Sequence, residues 1–441
     1  DRGGTLQSLK LKKYARSLEK DSPRVDLVNP GGARETWPLG VAVDAGGAVD
    51  LARLPFAARQ EGSRLTFAAE LPGGLRVEKR FSFHPDSYLF SLEISITNAT
   101  GAERPIGVGV SWADVKREEK KNRYAGHAGP VTLLGTDVER VDVEDIEAEQ
   151  RLEGRVLWTG YETKYFLAAM VPDQPDRARV RIFRPEGNGA VVELYFPPAP
   201  IPAGATTSQT INVYTGPKAI SRLKTAGVGL EQAVDFGIFA VLAKPLLWTL
   251  NFFQRFVKNY GVAIILLTIL IRIAFFPLAT KQFRSMKEMQ RLQPLLQELR
   301  EKYKEDRERL NQETMQLFRT HKVNPLGGCF PILLQIPVFI ALYQALLNSI
   351  ALRQAPFVFW LKDLSAPDPT YVTPILMTGS MFLQQKMSPP AGDPTQQKIM
   401  MFMPLIFGVM FLNFPSGLVI YWLANNLLAI AQQAWINRRY G

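Results

Sequence analysis

"LLTILIRIAFFPL", residues 266–278, is apolar except at Thr268 and at Arg272 in its middle. A guanidinium keeps its proton in any protein setting, so this stretch sets a membrane segment against a permanent charge. Extended back to Tyr260 it gives about 19 residues, enough to cross a hydrocarbon core of roughly 30 Å. Four further apolar stretches follow at 328–350, 371–387, 399–414 and 417–436. The last two are joined only by Pro415-Ser416, a connection tight enough to force a membrane hairpin. None of the five contains Asp or Glu, and with Lys386 counted as interfacial, Arg272 is the one ionisable side chain at mid-span.

The 441-residue chain changes character before this region. Up to about residue 230 charges mix with short apolar runs. Phe90, Leu92, Ile94 and Ile96 alternate with Ser91, Glu93, Ser95 and Thr97, the period of a strand with one buried face. "VRIF" and "VVELYF" flank Pro185-Glu186-Gly187-Asn188-Gly189, and "TINVYTG" follows "PPAPIPAG", so strands and turns alternate. Residues 1–230 are expected to form an all-β antiparallel sandwich. Its only histidines are His84 and His127, and it shows no paired-carboxylate motif or phosphate loop, which favours a structural or docking domain. The single cysteine, Cys329, excludes an internal disulfide framework. A net charge of +11 suits topology signals better than nucleic-acid binding.

Residues 231–259 place Ile238, Val241, Leu242, Leu246, Phe252, Phe253 and Phe256 at helical spacing among Lys244, Arg255 and Lys258. This predicts an amphipathic helix in the membrane interface. A further span is the rival, disfavoured because Lys244-Pro245 would sit at its middle. Residues 281–322 hold 11 Lys and Arg against 7 Asp and Glu, with apolar stripes through Met289, Leu292, Leu296, Leu299 and Tyr303, then Leu310, Leu317 and Phe318. A helical hairpin in the cytoplasm is expected, on the positive-inside bias. The β domain then lies outside, and since "DRGGTLQSLKLKKYARSLEK" has no apolar core, an N-terminal signal anchor is expected ahead of Asp1.

Intramembrane carboxylates, which cation-coupled carriers use, are missing from these spans. They carry uncharged polar groups instead: Thr268, Gln335, Gln344, Asn348, Ser380, Gln384, Gln385, Tyr421, Asn425, Asn426, Gln432 and Gln433. Many of these can serve simply as helix-to-helix bonds. Arg272 lies about six residues, roughly 9 Å, from the cytoplasmic end of its span, so it can snorkel to the headgroups. Left unpaired at mid-depth it costs about 2.5–3.5 kcal/mol. A wet cavity open to the cytoplasm removes most of that cost and suits an incoming anion.

"NPLGGCFPILLQIPVFIALYQAL" from Asn324, "LRQAPFVFWLKDLSAPDP" from Leu352, "QQKIMMFMPLIF" from Gln396 and "FPSGLVIYW" from Phe414 resemble the YidC/Oxa/Alb family of membrane protein insertases, in its Gram-negative form with a large periplasmic domain. The resemblance runs from about Val234 to the end of the chain. It implies a bacterial inner-membrane protein with a periplasmic β domain and a five-span core, 260–441. It further implies a hydrophilic groove open to cytoplasm and lipid, with Arg272 and Thr268 on its first helix and Gln335, Trp360, Tyr421 and Trp422 lining or closing it. Asn425 is added from the polar positions beside them. Trp422 stands where relatives often have tyrosine. The partners implied are nascent membrane proteins, the Sec translocon with its accessory subunits, the bilayer, and ribosome or signal-recognition-particle machinery at the cytoplasmic hairpin. No bond-making chemistry, metal or cofactor is expected, and no nucleotide motif is present. Two other readings stay open: an anion transporter or channel using Arg272, and a membrane-anchored carbohydrate-binding protein, since large sandwiches often bind sugars.

Overall fold

A computed structural model describes residues 3–28, 37–52, 54–114, 126–185, 189–321, 330–387 and 394–440. The expected turn residues 186–188, residue 322 at the end of the basic segment, Cys329, and the opening of the second expected span at 328–329 lie outside the described residues. The chain divides into two compact units, Asp1–Val234 and Asp235–Gly441.

The first unit is a β-sandwich. Among the described residues it has seventeen strands between Lys10 and Pro217, arranged as a nine-stranded sheet, a six-stranded sheet and a two-stranded ribbon. The alternation at Leu89–Asn98 does what its period requires: Phe90, Leu92, Ile94 and Ile96 are buried. This strand lies inside the nine-stranded sheet between Leu75–Phe83, with Val77 opposite Ile96, and Thr206–Pro217, with Ile211 opposite Leu92. In the six-stranded sheet Arg104–Asp114 pairs with Ala190–Ile201, setting Trp112 opposite Val192. The inward side chains of both sheets form one core that contains Val77, Leu92 and Ile94 together with Val110, Trp112 and Leu194. Each such side chain contributes about 1.5–3 kcal/mol on burial.

Two features of this unit depart from a plain hydrophobic core. Lys79 is fully buried, and its Nζ donates to the carbonyls of Gly3, Gly4 and Leu39 at 3.0, 2.7 and 2.8 Å. Burial pushes its ammonium down to about 7, and the three acceptors are the solvation that water no longer supplies. Glu162, also fully buried, accepts from His127 Nδ1 at 3.0 Å, Arg140 Nε at 2.8 Å and Lys218 Nζ at 2.7 Å. Burial alone would raise its carboxyl, but the hydrogen bond from His127 and the charges of Lys218 and Arg140 outweigh it and hold the group at about 2. Arg140 also donates to the Ala233 carbonyl at 3.1 Å, so this cluster secures the exit of the chain from the sandwich.

Close backbone approach makes one position intolerant of any side chain. A Cβ on Gly160 would lie 1.9 Å from the Ala168 carbonyl oxygen, on the neighbouring strand of the nine-stranded sheet. Main chain cannot swing aside as a flexible side chain does. Gly160→Ala is expected to destabilise the β unit by about 1–3 kcal/mol, seen as a lower midpoint for the β transition in thermal unfolding followed by circular dichroism.

The helices are α1 (Ile220–Ala226), which closes the first unit, then α2 (Ala240–Val257), α3 (Tyr260–Arg291), α4 (Gln293–Lys302), α5 (Arg307–Thr320), α6 (Phe330–Leu347), α7 (Val372–Met387), α8 (Pro394–Phe411) and α9 (Ser416–Tyr440). α2 is two-faced as its spacing predicts: Ala243, Leu247 and Leu250 are buried, while Val241, Trp248, Phe252 and Phe256 are exposed. It runs on through Pro245. α3 does not stop where the apolar stretch ends at Leu278 but continues through Pro277 into the basic segment. No glycine or other stop signal intervenes between the two. α4 and α5 meet across the turn at 303–306, where the Asp306 carboxylate caps α5 by accepting from the Arg309 amide at 2.9 Å.

By length and apolarity, one helix among the described residues is fit to cross a membrane, over Tyr260–Lys281. Gln335–Leu347 and Met400–Phe411 are apolar but shorter. The polar content explains the difference for the remaining two expected spans: α9 carries Asn425, Asn426, Gln432 and Gln433, and α7 has 16 residues with Gln384, Gln385 and Lys386 in its last turn.

Candidate functional site

α3 brings Thr268 and Arg272 one turn apart on one face. Thr268 is fully buried and its hydroxyl donates to the Ile264 carbonyl at 2.7 Å, a back-bond within the helix. Arg272 is half-buried and turns toward α9. Its Nε donates to Asn425 Oδ1 and its Nη2 to the Asn425 carbonyl, both at 2.9 Å. A guanidinium has five N–H donors, and these two bonds leave three uncommitted. No carboxylate among the described residues pairs with it. The snorkelling reading gives way to a charge held inward by a neutral amide.

α9 is the organiser of this region. Two of its polar pairs repeat every seven residues, close to two helical turns. Asn425 and Gln432 address α3, the latter donating to the Phe276 carbonyl at 3.4 Å. Asn426 and Gln433 address α7, donating to Ser380 Oγ at 3.1 Å and the Met387 carbonyl at 2.6 Å. Most of these amides therefore bond helix to helix, as such groups usually do between apolar helices. Asn425 is different because its partner is charged.

The other expected site residues fall into two places. Gln335 of α6 donates to the buried Tyr421 hydroxyl of α9 at 3.4 Å, and Tyr421 stands one helical turn before Asn425. The neighbouring Trp422 packs edge-on to Phe339 with ring centroids 4.8 Å apart and also against Phe411 at 5.5 Å. Two polar pairs, Arg272 with Asn425 and Gln335 with Tyr421, thus stand one turn apart along α9 and join it to α3 and α6. Trp360 belongs elsewhere, on the loop between α6 and α7, where its indole donates to Asp368 Oδ1 at 3.0 Å. That carboxylate also accepts from the amides and hydroxyls of Thr370 and Thr373, at 2.8–2.9 Å. Asp368 has no place among the residues expected from sequence; its signal is an Asp followed by Thr370 and Thr373 at the start of a helix, a capping pattern.

Family comparison bears on what this set does. A family profile described as "YidC periplasmic domain" matches residues 1–249, and one described as "60Kd inner membrane protein" matches residues 252–441. The membrane protein insertase YidC of Syntrophus aciditrophicus is 46% identical over 448 residues, spanning 99% of this chain and 82% of that protein. The chain belongs to the YidC family of membrane protein insertases. The YidC of Lawsonia intracellularis is 44% identical over 454 residues, spanning 99% of this chain and 84% of that one. A crystal structure of an active YidC insertase with its first transmembrane domain resolved aligns over 93% of this chain and 85% of its own, at 18% identity and a TM-score of 0.41, too distant to add to the assignment. As a YidC-family insertase the chain is an inner-membrane protein whose N-terminal β-sandwich is its periplasmic domain, followed by a helical region. The readings as an anion transporter or as an anchored carbohydrate-binding protein fall away.

Proposed function

We propose that this insertase receives the polar, often acidic tail of a small nascent membrane protein at Arg272 and passes its apolar segment into lipid along α6 and α8. The observation that carries the reading is a guanidinium on an apolar helix, held by one asparagine, with no carboxylate beside it and three donors to spare among the described residues. Thr268, Gln335, Tyr421, Trp422 and Asn425 line the receiving groove in this account, and Trp360 closes it at the outer side. Five spans, at 260–278, 328–350, 371–387, 399–414 and 417–436, enclose the groove, with 231–259 in the membrane interface. The segment 281–322 forms the cytoplasmic hairpin that meets the ribosome or signal-recognition-particle machinery. Insertion proceeds alone or beside the Sec translocon.

No nucleotide is required. Burying the apolar segment in lipid supplies about 0.8 kcal/mol per CH₂. Drawing one negative charge to the positive outer side adds about 2.3 kcal/mol per 100 mV. Arg272 offsets the desolvation of the tail's carboxylate in between. A photo-crosslinking amino acid at Gln335, in purified insertase in vesicles, is expected to capture the polar tail of a substrate stalled during insertion. The same probe at Ile273, which is 65% exposed and stands about 100° round the helix from Arg272, is expected to capture lipid or the apolar segment. Equal capture of the tail at both positions contradicts a groove.

A further inference from the structure

α8 is attached to the rest of the helical unit along a narrow stripe. Over residues 400–411 the buried positions are Pro404, Gly408 and Phe411, while Phe402, Leu405, Ile406 and Val409 are exposed. Gly408 sits so close to α7 that a Cβ there would lie 2.3 Å from Thr378 Oγ1. Toward α6 the bridge is aromatic: Trp422 of α9 lies between Phe339 of α6 and Phe407 and Phe411 of α8, at centroid distances of 4.8, 6.4 and 5.5 Å.

The indole Nε1 of Trp422 is buried in this seam and has no acceptor among the described residues. A buried donor without a partner is uncommon and unfavourable. Its neighbour Tyr421 differs, since its hydroxyl is already engaged by Gln335. An indole can only donate, so whatever satisfies Trp422 is an acceptor. A helical apolar segment has its carbonyls bonded within itself, whereas the extended stretch that joins such a segment to a polar tail does not. Lipid ester carbonyls belong at the edge of the bilayer, and Trp422 lies six residues, about 9 Å, inside the start of α9.

We propose that the Trp422 indole N–H is a docking donor for a main-chain carbonyl in the non-helical stretch of a substrate passing between α6 and α8. This rests on the groove reading given above. Where a relative has tyrosine, the hydroxyl can donate or accept; tryptophan restricts the contact to acceptors. Trp422 then acts as a positioning residue that holds the junction between tail and apolar segment at the seam while the tail occupies the polar set around Arg272.

The test uses the whole insertase in nanodiscs with ¹⁵N-labelled tryptophan indoles, the Trp422 resonance being assigned by its loss in Trp422→Phe. Adding a stalled single-span substrate is expected to move the Trp422 indole proton downfield and leave the other indoles in place. No movement with substrate demonstrably bound overturns the proposal. So does the same downfield position without substrate in ester lipid that disappears in ether lipid, because the acceptor is then lipid. In insertion assays Trp422→Phe, which keeps the aromatic seam, is expected to slow insertion roughly two- to tenfold, the worth of one ordinary hydrogen bond, and Trp422→Tyr to restore most of the rate. A wild-type rate for Trp422→Phe alongside an impaired Arg272→Glu overturns this inference and leaves the groove standing. Wild-type rates for both overturn the groove reading and this one with it.

Discussion

Arg272→Glu is expected to slow insertion of substrates with acidic tails by tenfold or more, while substrates with neutral tails lose much less. The change reverses the charge that α3 carries in its apolar part and sets a carboxylate against Asn425 Oδ1 and the Asn425 carbonyl, two acceptors that now face an acceptor. Tenfold corresponds to about 1.4 kcal/mol, roughly a third of what two unit charges exchange at 4 Å even in a fairly polar protein setting, about 4 kcal/mol. Arg272→Lys keeps the charge but replaces a planar fork with a point charge, so it retains attraction and loses one of the two bonds to Asn425; a loss of a few-fold is expected. Asn425→Ala is a separate control. It removes the Oδ1 bond and leaves the main-chain one, so a mild effect shows that the charge matters more than its tether. Initial rates of protease-protected substrate in vesicles, at fixed membrane potential, read all three.

The second large effect belongs to the periplasmic unit. Glu162→Ala leaves Arg140, Lys218 and His127 facing one another without the carboxylate that they surround. Removing one member of a buried ion cluster commonly costs about 3–5 kcal/mol, and that loss is expected for unfolding of the sandwich in urea, followed by circular dichroism in detergent. The contact from Arg140 to Ala233 loses its support at the same time, so hydrogen exchange over 218–234 is expected to rise. The pH dependence follows from the direction of the shift. The folded carboxyl titrates at about 2, below its usual 4.5. Its stabilisation is therefore fully present above 4.5 and lost as pH falls from there toward 2. Glu162→Gln removes this titration, so the stability gap between wild type and variant should close across that window. A gap that stays constant from pH 6 to pH 2.5 would contradict the role assigned to the cluster.

Much of the sandwich was readable from period alone, because Phe90 through Ile96 bury every second side chain and a register shift of one would expose them all. The Glu162 cluster was not. Its members sit at 127, 140, 162 and 218, on separate segments, and no local spacing brings them together. The same limit applied to Arg272. Its oddity showed in the sequence, and so did the polar character of α9, but the match with Asn425, 153 positions away, depends on how α9 packs on α3. The apolar stretch 260–278 showed where a span can lie but not how far its helix runs, because helix propensity continues through the basic residues and α3 extends to Arg291. Trp360 stood out in the sequence, but the bond that fastens its loop was not legible there, since no hydrophobic pattern reveals the acceptor role of Asp368.

The central claim is that the missing anionic partner of Arg272 arrives with the substrate. A charge-reversal cycle tests it most directly: wild type and Arg272→Glu, each with the same single-span substrate bearing either an acidic or a basic tail, compared by insertion rate at zero membrane potential so that only the local charge is varied. The account predicts strong coupling, with Arg272→Glu slower than wild type on the acidic tail and equal to it or faster on the basic one. If Arg272→Glu changes both rates by the same factor, the tail does not meet Arg272 and the account is wrong.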